Sequence, residues 1–187
     1  MAVQFNVRCF LQARVISCWW ACIRMILAYH GRQTPDNPGD FREQLAPPLY
    51  SARPRPMHYR QRDSHEWYRV GVIPERIPQL AQIVGFSMYS ATPPTWTPAT
   101  LEATLRELGP FAYLARFPGG NHVFVVTGAS DQSVTVNDPT RGPNQSHDYQ
   151  WLAEKSRSLR TSAVANPQGL PVLYFAGRRG PRAQTAR

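Results

Sequence analysis

Gln12-Ala13-Arg14-Val15-Ile16-Ser17-Cys18-Trp19-Trp20-Ala21 carries the chain from an irregular lead-in into an apolar helix, with a cysteine at the junction. Ser17 is a favourable N-cap. From Cys18 onward, Trp19, Cys22, Ile23, Ile26 and Leu27 recur with the period of a half-buried helix, and Gly31 is a natural residue to follow its end. The spacing predicts a helix over 18–30 with Cys18 in its first turn. The positive end of the helix macrodipole lies there and favours an anionic nucleophile. Gln12, just upstream, offers a side-chain amide donor where an oxyanion would form during attack on a carbonyl.

Working outward, residues 2–11 read as an extended lead-in, and 32–70 as a long Pro- and Arg-rich loop with one short helix near Asp40–Leu45. Pro74 opens a second helix that ends near Val84, before Gly85. Ser87–Ser90 is a short strand, and Thr97 caps a helix from Pro98 to Leu108. The period then changes to that of strands. Phe111–Phe117, His122–Gly128 and Ser133–Asp138 are strands, separated by turns at Pro118-Gly119-Gly120-Asn121 and Ser130-Asp131-Gln132. The stretch His122–Gly128 is apolar on both faces and so is expected at the centre of a sheet. Trp151–Ser158 is a helix, Leu170–Phe175 a last strand, and 177–187 an Arg-rich flexible tail. Helices followed by an antiparallel sheet make an α+β fold, a single domain over 1–176.

Strand alternation places two more residues. His122 opens one strand and Asp138 closes the next, so the two ends meet across an antiparallel pair. Asp138 shares its face with Val134 and Val136. Asn137 shares the other face with Thr135 and is expected to be dispensable. A carboxylate beside an imidazole fixes its tautomer and supports the imidazolium, and an imidazolium supports a neighbouring thiolate. Cys18, His122, Asp138 and Gln12 are together a parts list for thiol-based acyl transfer. His30, His58, His65 and His147 read as surface or loop residues, and Cys22 as packing.

The 187 residues suffice for a domain with a real core, and 42% of them are hydrophobic. Eighteen prolines and twelve glycines imply many turns. The net charge of +9 is carried almost wholly by scattered arginine, with Lys155 the only lysine. Basic residues without interleaved aromatics disfavour a nucleic-acid-binding module. Cys9, Cys18 and Cys22 form no disulfide framework. With His30, two of them match no zinc spacing, so no metal and no cofactor is expected. No apolar run is long enough to span a membrane. Met1–Arg8 carries no Sec-type signal pattern, so the chain is expected to be made in the cytoplasm.

Gln12, Cys18-Trp19, Gly120-Asn121-His122 and Asn137-Asp138-Pro139 together resemble the papain-like cysteine peptidases. The likeness is to the compact bacterial branch, which holds leader peptidases of bacteriocin exporters and effector proteases injected by pathogens. The resemblance implies a papain-like fold, Cys18 as nucleophile, His122 as general base and acid, Asp138 as its orienting residue and Gln12 as oxyanion donor. It also implies substrate contacts from Trp19, Gly120 and Asn121. The third residue is Asp where papain itself uses Asn, and Trp20 replaces a residue that is often small. A protein substrate follows, as do a toxin or effector role, export by a dedicated secretion system, action in a target cell, and a cognate immunity or inhibitor protein. Glutamine deamidation and transglutamination use the same triad, and a non-enzymatic nucleic-acid binder is the remaining alternative.

Overall fold

The computed structural model describes residues 2–12, 17–33, 77–89, 96–117, 120–160 and 172–174. Its elements are β1 (Val3–Gln4), α1 (Cys18–Tyr29), α2 (Ile77–Val84), β2 (Ser87–Tyr89), α3 (Pro98–Leu108), β3 (Phe111–Phe117), β4 (Gly120–Ala129), β5 (Val134–Asp138), β6 (Gly142–His147), α4 (Tyr149–Arg160) and β7 (Val172–Tyr174). The class is α+β. The start of the second helix at Pro74, the helix near Asp40–Leu45, the 32–70 loop, His58, His65 and the 177–187 tail lie outside the described residues.

The helices end where glycine permits a left-handed backbone. After α1, Gly31 adopts φ 65°. Arg32 N–H then reaches back to Leu27 O at 2.9 Å, and Gly31 N–H to Ala28 O at 3.0 Å, a Schellman closure. Gly85 closes α2 in the same way, with φ 72° and a 2.7 Å bond from Phe86 N–H to Ala81 O. At the start of α3, Thr97 Oγ1 accepts from Thr100 N–H at 3.2 Å and Thr100 Oγ1 from Thr97 N–H at 2.9 Å. This is a capping box with threonine at both positions. Ser17 departs from expectation. It stands at the N-cap of α1, but its side chain makes no cap bond. Its carbonyl accepts from Trp20 N–H and Ala21 N–H instead.

One antiparallel sheet has the order β2-β7-β3-β4-β5-β6, with β1 pairing β4 outside that path. β4 is central, as its two apolar faces imply, and it begins at Gly120, two residues before the expected start. The stretch read as a turn thus contributes Gly120 and Asn121 to the strand. β6 was not foreseen: Gly142-Pro143-Asn144-Gln145-Ser146-His147 has no apolar alternation because it is the exposed edge. The core lies between the sheet and its helices, with Cys22, Met25 and Ile26 of α1 and Phe124 and Val125 of β4 all fully enclosed. Trp96 stacks on Phe111 at 6.0 Å and donates its indole N–H to the Tyr113 hydroxyl at 3.3 Å.

β1 anchors the N-terminal lead-in at the end of β4, pairing Val3 with Ala129 and Gln4 with Gly128. A Cβ on Gly128 would meet the Gln4 side chain and stand 2.9 Å from Val3 O. Gly128→Ala is therefore expected to lower unfolding stability by about 1–3 kcal/mol, the usual cost of overpacking. Denaturant titration measures it, and an unchanged midpoint would mean that β1 yields without cost.

Candidate active site

Cys18 is the first residue of α1 and is nearly enclosed, with 7% of its surface exposed. α1 is docked on β4 one turn further along, where the Cys22 thiol donates to Val123 O at 3.3 Å. That bond places Cys18 beside the first residues of β4, where His122 stands. In β4–β5, Val125 pairs with Asn137 and Val126 with Val136. Continuing that register sets Asp138 level with Phe124, so His122 is its diagonal neighbour on the same face, within reach of a long side chain. The imidazole Nε2 lies 2.9 Å from Asp138 Oδ1, with 16% and 7% of the two side chains exposed. The same carboxylate oxygen accepts from Thr140 N–H at 2.7 Å.

The electrostatics follow from this packing. Burial disfavours the charged imidazole, but hydrogen bonds to Asp138 and Cys18 and their charges outweigh it, and the His122 pKa is pushed up to about 9. Burial also works against the Asp138 carboxylate. Bonds from His122 and from the Thr140 and Arg141 N–H groups overcome it and hold the pKa below its ordinary value. Burial pushes the Cys22 thiol well above its usual range, helped by Cys18, Asp138 and Cys9. Cys9 is pushed up by burial and by Asp138. A pH dependence follows with a definite sign. The folded His122 pKa exceeds the unfolded value of about 6.5, so its contribution to stability is complete below that pH. It is lost as pH rises toward about 9. Thermal melts across this interval should show a falling midpoint, and Asp138→Asn should flatten the fall.

Gln12 lies beside the same strand end, its backbone N–H bonded to Pro139 O at 2.9 Å. Its Oε1 is buried with no hydrogen-bond partner among the described residues. Trp19 is buried in the core at 6% exposure and packs edge-on against Trp20. Asn121 is exposed, and Gly120 pairs with Phe117 across the β3–β4 hairpin. Asn137 corrects the expectation of a dispensable residue. It is 1% exposed, its Nδ2 donates to Val7 O at 2.8 Å, and its Oδ1 accepts from Asn144 N–H at 2.9 Å. The lead-in covers the face on which it stands, so strand alternation alone misjudges it.

The sequence reading also overlooked a run of rings beside His122. Phe117 meets the imidazole edge-on at 5.3 Å and Trp151 of α4 at 6.2 Å. Lys155 Nζ sits 4.5 Å above the Phe117 ring. His147, read as a surface residue, is stacked flat on Trp151 at 3.8 Å. His30 is likewise half-buried, at the end of α1 against Tyr29. The strand register was the available signal for Phe117, since its pairing with Gly120 makes it the diagonal neighbour of His122. Among the described residues no cluster of His, Cys, Asp or Glu is arranged to hold a metal ion. No helix there is long and apolar enough to cross a membrane.

The profile of the papain-like cysteine protease AvrRpt2, peptidase family C70, matches residues 1–157. The chain belongs to this family. It is thus a bacterial papain-like cysteine peptidase, a hydrolase whose substrate is a polypeptide. The peptidase domain of Streptococcus ComA, a bi-functional ABC transporter involved in quorum sensing, superposes with a TM-score of 0.49 at 14% identity. The match covers 90% of this chain and 98% of that one. Among curated proteins none matches the sequence. Within a C70 peptidase, a cysteine bonded to an imidazole that is bonded in turn to a carboxylate is an arrangement suited to thiol nucleophilic attack.

Proposed function

We propose that this C70 peptidase cleaves its substrate through Cys18, His122 and Asp138, with Gln12 as oxyanion donor. The observation that carries the reading is the imidazole of His122, held at Nε2 by Asp138 at 2.9 Å and hydrogen-bonded to Cys18. Nε2 is taken by Asp138, so Nδ1 is the nitrogen that serves the sulfur. With its pKa at about 9 the imidazole already holds the proton of the pair at Nδ1 near neutral pH, and the sulfur, its proton thus surrendered, bonds the scissile carbonyl carbon. The carbonyl π electrons move onto oxygen, where the Gln12 amide meets the developing charge. The tetrahedral species collapses, the C–N bond breaks, and the imidazolium gives its proton to the leaving amine. Water, deprotonated by the same nitrogen, then attacks the thioester. The acyl group leaves as a carboxylic acid, sulfur takes back the bonding pair, and the starting sulfur–imidazolium pair is restored.

The His–Asp pair that these steps use is already formed in the structure. Membership of the AvrRpt2 family supports the second part of the reading, a bacterial effector or toxin acting in a target cell; we propose with it delivery by a dedicated secretion route and a cognate inhibitor. Expression of wild-type and Cys18→Ala protein in candidate target cells tests it. A phenotype that persists in the variant would separate the effect from catalysis.

Gln12→Ala should lower kcat by about 10²–10³-fold with KM nearly unchanged, the usual cost of one lost oxyanion donor. Steady-state kinetics on a peptide substrate provide the check. Unchanged turnover would assign the oxyanion site to backbone N–H groups.

A further inference from the structure

We propose that Asn137 is a positioning residue that holds the Gln12-bearing segment against the strand end carrying Asp138. The proposal rests on the reading of Gln12 as oxyanion donor. The lead-in is tied to the sheet at successive points. Phe5 N–H bonds Thr127 O at 2.8 Å, Val7 O accepts from Asn137 Nδ2 at 2.8 Å, and Gln12 N–H bonds Pro139 O at 2.9 Å. The last two ties come from the residues immediately before and after Asp138. Three consecutive residues, 137 to 139, therefore hold the lead-in twice and the His122 imidazole once.

The two ties differ in kind. The bond to Pro139 is backbone to backbone and is available to any side chain at position 12. The bond to Val7 needs an amide donor at position 137 reaching a carbonyl 130 positions away in sequence. Asn137 meets this demand with both ends of its carboxamide. Nδ2 reaches the lead-in, while Oδ1 takes Asn144 N–H from β6 and so fixes the amide plane. Asn144 itself sits at φ 54°, the one non-glycine positive φ among the described residues, and this turns its N–H toward β5. A carboxamide satisfied at both ends and 1% exposed does not rotate freely. Val7 is thereby fixed relative to Asp138, and the four residues between Val7 and Gln12 run between two anchored ends.

The chemistry gives this clamp a consequence beyond stability. An oxyanion donor acts only if it stands at hydrogen-bond distance from where the charge develops, and a misplacement of about 1 Å can cost about a hundredfold. Gln12 Oε1 has no partner among the described residues, so the anchors they give this amide are those of its backbone. Asn137 makes no bond to His122 or Cys18 among the contacts described. Its loss should spare the imidazole and thiol and act through Gln12 alone.

A double-mutant cycle on the full chain tests this. Asn137→Ala and the milder Asn137→Ser are each made in wild-type and Gln12→Ala backgrounds. Circular dichroism confirms folding, and hydrogen exchange follows the Gln12 amide. In the wild-type background kcat should fall about ten- to a hundredfold at nearly constant KM. Exchange of the Gln12 N–H should quicken, while Cys18 alkylation and the pH profile stay in place. In the Gln12→Ala background the same change should cost nothing further. An equal loss in both backgrounds, or a shifted pH profile, overturns the proposal while leaving Gln12 as the donor. If Gln12→Ala alone leaves kcat intact, the oxyanion reading itself fails and the proposal falls with it.

Discussion

Cys18→Ala should reduce turnover by about a millionfold, as losing a nucleophile does where catalytic groups act as a unit. The fold should survive, because the change removes only a sulfur at the first residue of α1. His122→Ala should cost about as much, and the double variant little more than either. Alkylation offers an independent reading. Cys22 is fully enclosed, bonded to Val123 O, and has its thiol pushed well above the usual range. Cys9 is pushed up as well. Cys18 beside His122 should thus be modified first by iodoacetamide near neutral pH, with mass spectrometry locating the adduct. Equal labelling of all three thiols in folded protein would remove the nucleophile from this position.

Asp138→Ala should lower kcat by about 10⁴-fold, since the imidazole loses both its orienting partner and the charge that supports its protonated form. The alkaline limb of activity should also move down from about 9 toward the unperturbed histidine value, because the hydrogen bond and charge of Asp138 are among the causes of the raised pKa. Asn137→Ala should behave differently. It leaves Val7 O and Asn144 N–H without their side-chain partner in a buried setting, at a cost of about 2–4 kcal/mol in stability. Its kinetic cost should be far below that of Asp138→Ala. Turnover and chemical denaturation of the two variants side by side separate the roles. If Asn137→Ala is the more damaging to kcat, the imidazole is oriented by the amide and the geometry around Asp138 has been misassigned.

The pieces legible from sequence were those written in local pattern. The period of Trp19, Cys22, Ile23, Ile26 and Leu27 set α1, and Thr97-Pro98 set the start of α3. Alternation in Val134–Asp138 with the apolar run of β4 put His122 and Asp138 on one face. What stayed hidden depends on contacts distant in sequence. Asn137 reads as dispensable because nothing local shows that Val7 lies over it. β6 lacks apolar alternation because only one of its edges is paired within the sheet. Phe117 acquires its second ring partner, Trp151, only when α4 docks on the sheet. The Ser17 cap failed because its backbone, at φ −99° and ψ 19°, lies outside the extended region usual for an N-cap whose side chain caps the first turn.

The ties that assemble the site close very large loops: 101 positions separate Cys22 from Val123, and 130 separate Val7 from Asn137. Such contacts form late, because the entropy of closing the loop is spent before any bond rewards it. A nascent chain from which β5 has not emerged owns a cysteine and a histidine but no Asp138 to hold the imidazole. A fully extended chain has none of the site's contacts in place. Hydrolytic power in this molecule therefore begins with the last long-range closure and vanishes on unthreading, which makes the extended chain safe to handle for whatever cell synthesises it.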